Sequence, residues 1–371
     1  MKELTKRIYF LLRAGALRLL PRPAKGTLPE REDLRILVIR LDRLGDLILS
    51  TPVFRILRNS FPKAVIHALV TEANADLIGG DPNLNAVLTY KGFNPARAAL
   101  RDRYDLVIDL INSHELKTAL LTRSLNAPYS IGFDVKSRGV FFTDPVRPSA
   151  QRKHFVEFIP DILSPLGLSI EKGLEPRLYV KDAQIKAGAS FLSLKGIETR
   201  DFVISIHPGG FYASQRWPRE YFAGLIGMIN AYRPKAKFLL LGSAIERRLI
   251  DDIFRSLEYT TANSTAVRGE NGTGAVAALL SLSGLFIGNN SGLLHAAAAL
   301  KVPTVSFMGP TVPWLWRPRG PAERNIVFRK ELLCSPCNKG QCAEHSCMRS
   351  ITPGEVFAAL KPLLDRLMEE A

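Results

Sequence analysis

Three short stretches carry residue types that could do chemistry, and each follows an apolar run. The first is Arg40-Leu-Asp-Arg-Leu-Gly-Asp46, where Asp42 and Asp46 lie among two arginines and Gly45 permits a tight strand-to-helix turn. Asp46 falls at or near the N-terminus of the following helix, where a carboxylate reads most simply as a cap. Asp42 reads as solvated, or as paired with Arg40 or Arg43. The loop has too few glycines for a dinucleotide fingerprint or a phosphate-cradling loop, which argues against dehydrogenases and nucleotide hydrolases. The second stretch runs from His207 to Pro218. Gly209 and Gly210 let backbone amides approach a ligand and Arg216 can grip a phosphate through several donors; taken alone, the stretch reads equally as a plain surface loop with Trp217 as a core anchor. The third is Gly288-Asn-Asn-Ser-Gly-Leu-Leu-His295. Amides at Ser291 and Gly292 would project from a helix N-terminus, a natural anion site, with His295 on the first turn. Gly309-Pro310-Thr311, closing the next strand, adds another turn to the same edge. Convergent amide-rich turns are what a nucleotide diphosphate requires.

The elements that must position these loops alternate. Residues 36–39, 65–69, 86–90 and 106–110 read as buried parallel strands, with helical spacing over 47–58 and 115–125. The alternation restarts with strands at 202–206, 238–241, 285–288 and 304–307, and helices at 218–232, 244–257 and 291–300. Pro218 is expected in a helical first turn. Thr352-Pro-Gly-Glu355 is a capping-box pattern opening a last helix over 356–368. Such alternation implies α/β halves with mostly parallel sheets covered on both faces. A connecting helix over 182–196 leads to an expected join near 185–200, with a ligand cleft at the carboxyl ends of the strands. The expected domains are residues 1–30, 31–185 and 186–371.

The 371-residue chain has 50 Lys and Arg against 35 Asp and Glu, a net charge of +15 that favours anionic partners. No helix-turn-helix, zinc finger or aromatic-rich RNA motif accompanies it, so a nucleic-acid partner is not expected. No apolar stretch is long enough to span a membrane. Arg13 and Arg18 interrupt the first apolar run and no small-residue cleavage site follows, so the chain is expected in the cytoplasm. That N-terminal stretch interleaves Lys2, Lys6, Arg7, Arg13, Arg18, Arg22 and Lys25 with Ile8, Leu11, Leu12, Ala16 and Leu19. Such a basic amphipathic helix either lies on an anionic membrane surface or packs on its own domain. Pro21, Pro23 and Gly26 then form a linker. The four cysteines, Cys334, Cys337, Cys342 and Cys347, could hold a structural zinc, with His345 as a substitute ligand, or stay as thiols. Their spacings do not match a paired zinc module.

Taken together, residues 36–62, 207–218 and 288–310 resemble glycosyltransferase family 9, the heptosyltransferases of lipopolysaccharide core assembly. The resemblance rests on a Gly-Asp pair after the first strand, a Pro-Gly loop ending in Arg-Trp-Pro, and a Gly-Asn-x-Ser-Gly-x-x-His turn. It runs from about residue 34 to the C-terminus. It implies a GT-B fold, two Rossmann-like domains facing a central cleft, and metal-independent inverting transfer from an ADP-heptose-like donor without a further cofactor. It makes Asp46 the candidate general base for an acceptor hydroxyl. Donor binding would fall to Gly209, Gly210, Gln215, Arg216, Asn290, Ser291, Gly292 and His295, with Arg216 neutralising the leaving group. Two positions depart from the pattern: Asn290 stands where the family has Asp, and Gln215 where it has Lys. These changes fit altered donor recognition, and also a non-catalytic nucleotide-sugar or glycan binder.

In the first half, Arg97, Arg101, Arg103, Lys117, Arg123, Lys136, Arg138, Arg147, Arg152 and Lys153 read as a solvated basic rim. The resemblance turns that rim toward an anionic lipid-linked glycan and the enzyme toward the inner face of the cytoplasmic membrane. His154 and Glu157 match a further family element, with no chemical role assigned.

Overall fold

Arg35-Ile-Leu-Val-Ile-Arg40, buried from Ile36 onward, forms β1 (Arg35–Arg40) at the middle of a parallel sheet. A run apolar on both faces suits a strand with helices packed above and below. The computed structural model describes residues 2–257, 263–269 and 271–370, which divide into compact units at Leu174–Glu175. The first unit opens with α1 (Lys2–Arg18). After β1 come α2 (Leu44–Ser50), α3 (Pro52–Ser60), β2 (Val65–Val70), α4 (Glu72–Ile78), β3 (Ala86–Thr89), α5 (Phe93–Leu100), β4 (Leu106–Asp109), α6 (Lys117–Ser124), β5 (Tyr129–Phe133), β6 (Asp144–Val146) and α7 (Ile159–Leu163). The sheet order is β3-β2-β1-β4-β5-β6. All its pairings are parallel.

The expected helix over 47–58 is two helices, beginning earlier. Pro52 has no N–H to continue the ladder, and the carbonyl of Ile48 accepts instead from the Thr51 amide at 3.1 Å and the Thr51 hydroxyl at 2.8 Å.

The second unit repeats the plan. It contains α8 (Asp182–Ser193), β7 (Val203–His207), α9 (Arg219–Tyr232), β8 (Lys237–Gly242), α10 (Arg247–Leu257), β9 (Ser264–Arg268), α11 (Thr273–Ser281), β10 (Leu285–Asn289), α12 (Gly292–Ala299), β11 (Thr304–Phe307), α13 (Pro313–Trp316), β12 (Asn325–Phe328), α14 (Ser346–Arg349) and α15 (Pro353–Glu370). Its order is β12-β11-β10-β7-β8-β9, again parallel throughout. Because α8 packs on α11, it belongs to this unit, and the division falls ahead of the expected join at 185–200.

Trp217 is a core anchor. Its ring stacks on Phe307 at 4.1 Å between centroids, and its indole N–H donates to the Ile351 carbonyl at 2.8 Å. Pro218 occupies the cap of α9 rather than its first turn, with extended backbone at ψ 136°. The capping pattern at Thr352 forms by half. The Glu355 amide donates to the Thr352 hydroxyl at 3.3 Å, but the Glu355 carboxylate turns to Lys330 at 2.8 Å.

In each sheet the chain leaves its first strand on one side and later returns on the other. The reversals fall between β1 and β4 and between β7 and β10. Loops that leave the carboxyl ends of strands at such a reversal are where open α/β sheets bind ligands. The stretches 40–46, 207–218 and 288–295 are those loops.

Candidate active site

In the first unit the strand β1 delivers Arg40 into the core, where it is 2% exposed. Its guanidinium donates to the Leu110 carbonyl, at the end of β4. It also lies 2.9 Å from Asp42 and 3.6 Å from Asp46. The ring of Phe155 covers it, 5.1 Å from centroid to guanidinium carbon. Burial pushes the Asp42 carboxyl up to about 6, against the pull of Arg40 and with the help of the Asp46 charge. Burial also raises Asp46, with Arg40 and Arg43 opposing. A carboxylate raised in this way accepts a proton more readily near neutrality than a solvated one.

Asp46 does not cap α2. Arg43 occupies the cap position without a side-chain capping bond, and Asp46 sits in the first helical turn, its side chain 17% exposed. Arg43 thus holds the expected cap position, while backbone hydrogen bonds at Arg43 and Asp46 favour the Asp46 charge at the start of the helix.

The loop after β4, on the other side of the reversal, is held by an element that the sequence reading put on the surface. Arg138 is fully buried. It pairs with the equally buried Asp109 and donates to the Thr118 hydroxyl at 2.7 Å, the Ile111 carbonyl at 2.6 Å and the Glu115 carbonyl at 2.8 Å. Arg138 is therefore part of the scaffold, not of a basic rim. A basic residue buried this deeply needs a buried acid as its partner, and the Asp109 that supplies it lies 29 residues away in the sequence. Lys153 is also partly withdrawn, pairing with Asp161 at 2.6 Å. His154 and Glu157 form a reciprocal cap. His154 Nδ1 accepts from the Val156 amide at 3.2 Å, and Glu157 accepts from the His154 amide at 3.0 Å. This cap fixes the segment that places Phe155 over Arg40.

In the second unit, the loops after β7 and β10 are bonded together. His207 Nδ1 lies 3.0 Å from the Ser291 hydroxyl, and its Nε2 lies 3.4 Å from Glu246. Glu246 also accepts from the Gly210 amide at 2.9 Å and the Ser243 amide at 2.9 Å. Burial alone would raise the Glu246 carboxyl; the bonds from His207 and Ser243 outweigh it and hold it well below the carboxylate range. A side chain at Gly209 would strike the Glu246 carboxylate, with its Cβ 1.8 Å from Oε1. Glycine is required there because a carboxylate fills the space.

Asn289, not anticipated from sequence, ties the rest. Its amide donates to the Pro208 and Gly209 carbonyls at 2.8 and 2.9 Å, and its oxygen accepts from the Trp217 amide at 2.8 Å. Its signal in the sequence was the Asn-Asn pair, of which only Asn290 was singled out.

Ser291 is the cap residue of α12, yet its hydroxyl makes no capping bond and is engaged by His207. The first-turn amides of α12 thus lack the side-chain cap that would otherwise occupy them. Ser291 and Gly292 are partly exposed, whereas His295 is nearly buried at 4% and its backbone closes the first turn onto the Ser291 carbonyl. The accessible part of the turn is 291–293. Arg216 has its Nε and Nη2 on the Gly210 carbonyl at 3.0 and 2.8 Å. Gln215 accepts from the Tyr212 amide at 3.5 Å, and the Asn290 amide donates to the Phe307 carbonyl at 3.3 Å.

The cysteine-bearing segment packs on the 212–216 turn. The Ser214 hydroxyl donates to the Lys339 carbonyl at 2.5 Å, and His345 Nε2 lies 3.0 Å from the Ser214 carbonyl. The four thiols are free, with Cys334 and Cys342 exposed and Cys347 buried. Burial raises the Cys347 thiol, with Cys337, Cys334 and Cys342 adding to it. Among the described residues, no group of three or more His, Cys, Asp or Glu is gathered closely enough to hold a metal ion.

Residues 95–348 match glycosyltransferase family 9 (heptosyltransferase). The chain belongs to glycosyltransferase family 9. Among characterised relatives of this transferase, lipopolysaccharide heptosyltransferase 2 of Escherichia coli K12 is 26% identical over 368 residues, covering 91% of this chain and all of the relative. Lipopolysaccharide heptosyltransferase 3 of the same strain is 27% identical over 293 residues, covering 74% of this chain and 82% of that one. The solved structure of E. coli ADP-heptose lipopolysaccharide heptosyltransferase II superposes with a TM-score of 0.77 at 25% identity, covering 91% and 100% of the two chains. A glycosyltransferase family 9 structure from Veillonella parvula gives 0.79 at 22% identity, covering 93% and 100%, and shows the same fold. The two parallel six-stranded sheets of this glycosyltransferase are those of the GT-B architecture.

Proposed function

We propose that this glycosyltransferase moves a heptose from ADP-heptose, or a close nucleotide-diphosphate relative, onto a lipopolysaccharide-core-type lipid-linked acceptor, with inversion and without a metal. Asp46 takes the proton of the acceptor hydroxyl. The freed oxygen attacks the anomeric carbon, the bond from that carbon to the diphosphate oxygen breaks, and the nucleoside diphosphate departs. In the second unit the Ser291–Gly292 amides and Arg216 receive the diphosphate charge, with the Gly209–Gly210 turn bordering it. Gln215 and Asn290 border that turn as neutral groups and bear on which donor is chosen. His295, buried behind the turn, positions it. The donor is a substrate, and no further cofactor is called on.

The observation that carries the reading is Asp46: a carboxylate on the first turn after β1, at the sheet reversal, raised by burial and set 3.6 Å from a buried arginine. The family membership, and the ADP-heptose in the name of the E. coli relative, support the donor. The +15 charge suits an anionic acceptor and a place at the cytoplasmic face of the membrane. Among the described residues, no helix is long and apolar enough to cross one.

Asp46→Asn is expected to lower kcat for transfer by about 10²–10⁴. Its thermal shift with donor should equal that of the native chain, ~2.7 kcal/mol at a hundred times Kd. Transfer at the native rate in this variant would remove Asp46 from the mechanism. A shift with UDP- or GDP-sugars but not ADP-sugars would overturn the donor.

A further inference from the structure

The helix α1 carries more apolar surface than its own domain uses. At 3.6 residues per turn, Ile8, Leu11 and Leu12 share one face, with Tyr9 at its edge, while Phe10 and Leu17 lie on the opposite face. The structure docks α1 by the smaller face. Leu17 is buried in a cluster with Ala119, Val140, Phe141 and Phe142. Phe10 meets His114 edge-on at 5.2 Å, with Lys136 5.3 Å from its ring centroid. The larger face points away. Ile8 is 48% exposed, Leu12 71%, Leu11 73%, and Leu19, just past the helix, 86%. Leu120, next in sequence to Ala119 of that cluster, is also exposed. A contiguous, outward apolar face on a helix is uncommon without an occupant.

The charges say which occupant. The α1 segment contains five Lys or Arg and one Glu, and exposed Arg18, Arg22 and Lys25 continue the basic run beyond it. Leucines bordered by cations are the pattern of a helix lying in the headgroup region of an anionic bilayer, with the apolar face toward the acyl chains and the cations on phosphates. We propose that the Ile8–Leu11–Leu12–Leu19 face of α1 seats this protein on an anionic phospholipid surface, with Phe10 and Leu17 fixing the helix to the enzyme. The proposal stands whether or not Asp46 is the base, since its readout is binding rather than transfer.

The test is co-sedimentation of the full chain with vesicles of mixed phosphatidylglycerol and phosphatidylcholine, against phosphatidylcholine alone. The native chain is expected to pellet with the anionic vesicles and to be released by high salt. Leu11→Glu/Leu12→Glu is expected to lower the bound fraction about tenfold, and Arg18→Glu to lower it on anionic vesicles alone. All should keep the native melting temperature and native transfer to a detergent-dispersed acceptor, which separates lost docking from lost fold. Native binding by the double variant, or no preference of the native chain for anionic vesicles, would overturn the assignment. So would a concentration-dependent dimer that the double variant abolishes, because the face would then belong to a second copy.

Discussion

Replacing Asp42 by Asn tests the electrostatics of the first-unit loop through two independent readouts. The native carboxyl is pushed from 3.8 up to about 6 by burial, despite Arg40 at 2.9 Å. Ionising Asp42 in the folded chain therefore costs more than in the unfolded chain. A rise of about two units corresponds to ~3 kcal/mol. The side chain is 30% exposed, so water screens part of this, leaving roughly 1–2 kcal/mol. The sign follows from linkage: the protonated carboxyl favours the fold, so its contribution is full below 3.8 and lost as pH rises through about 6. Asparagine resembles the protonated acid at every pH. The variant should therefore exceed the native chain at about pH 8 by roughly 2–8 °C in Tm, with the difference closing toward about pH 4. The second readout is the acidic limb of kcat/KM. With Asp42 neutral, the Arg40 charge serves Asp46 alone, so the Asp46 carboxyl should fall and the limb move to lower pH. Thermal melts across pH and a pH–rate profile check both. A variant less stable at high pH, or a limb that moves up, would refute the shared-arginine argument.

Two further outcomes bear on the scaffold. Asp109→Asn leaves the Arg138 charge buried without its counterion and should cost about 3–5 kcal/mol, read as a lower denaturant midpoint; an unchanged midpoint would show that the pair is dispensable. Asn289→Ala strips partners from the Trp217 amide and the Pro208 and Gly209 carbonyls. It should lower stability by about 2–4 kcal/mol and raise the donor KM about tenfold with a smaller change in kcat. An unchanged KM would mean that the Gly209–Gly210 turn does not border the donor.

The strand–helix alternation was legible because buried parallel strands are continuous apolar runs. Among the strands it failed at β5, β6, β9 and β12. Gly132 interrupts β5, Pro145 interrupts β6, and β9 and β12 mix polar with apolar residues. Their place in the sheets is set by neighbouring strands rather than by their own pattern. The three candidate loops were legible because glycine, carboxylate and arginine gather in them, and the family resemblance followed from their order.

The sequence by itself determined two α/β halves, the loops at their strand ends and the family to which they belong, since periodicity and turn chemistry are local properties. Only the tertiary structure decided which charges work and which are walled in. Arg138 left the surface for Asp109, Arg40 was buried under Phe155 and against the Leu110 carbonyl, and His295 withdrew behind the Ser291 turn. It also decided that α1 docks by its lesser face. Burial, and a pair such as Arg138–Asp109, depend on residues tens of positions apart, which no short window along the chain contains.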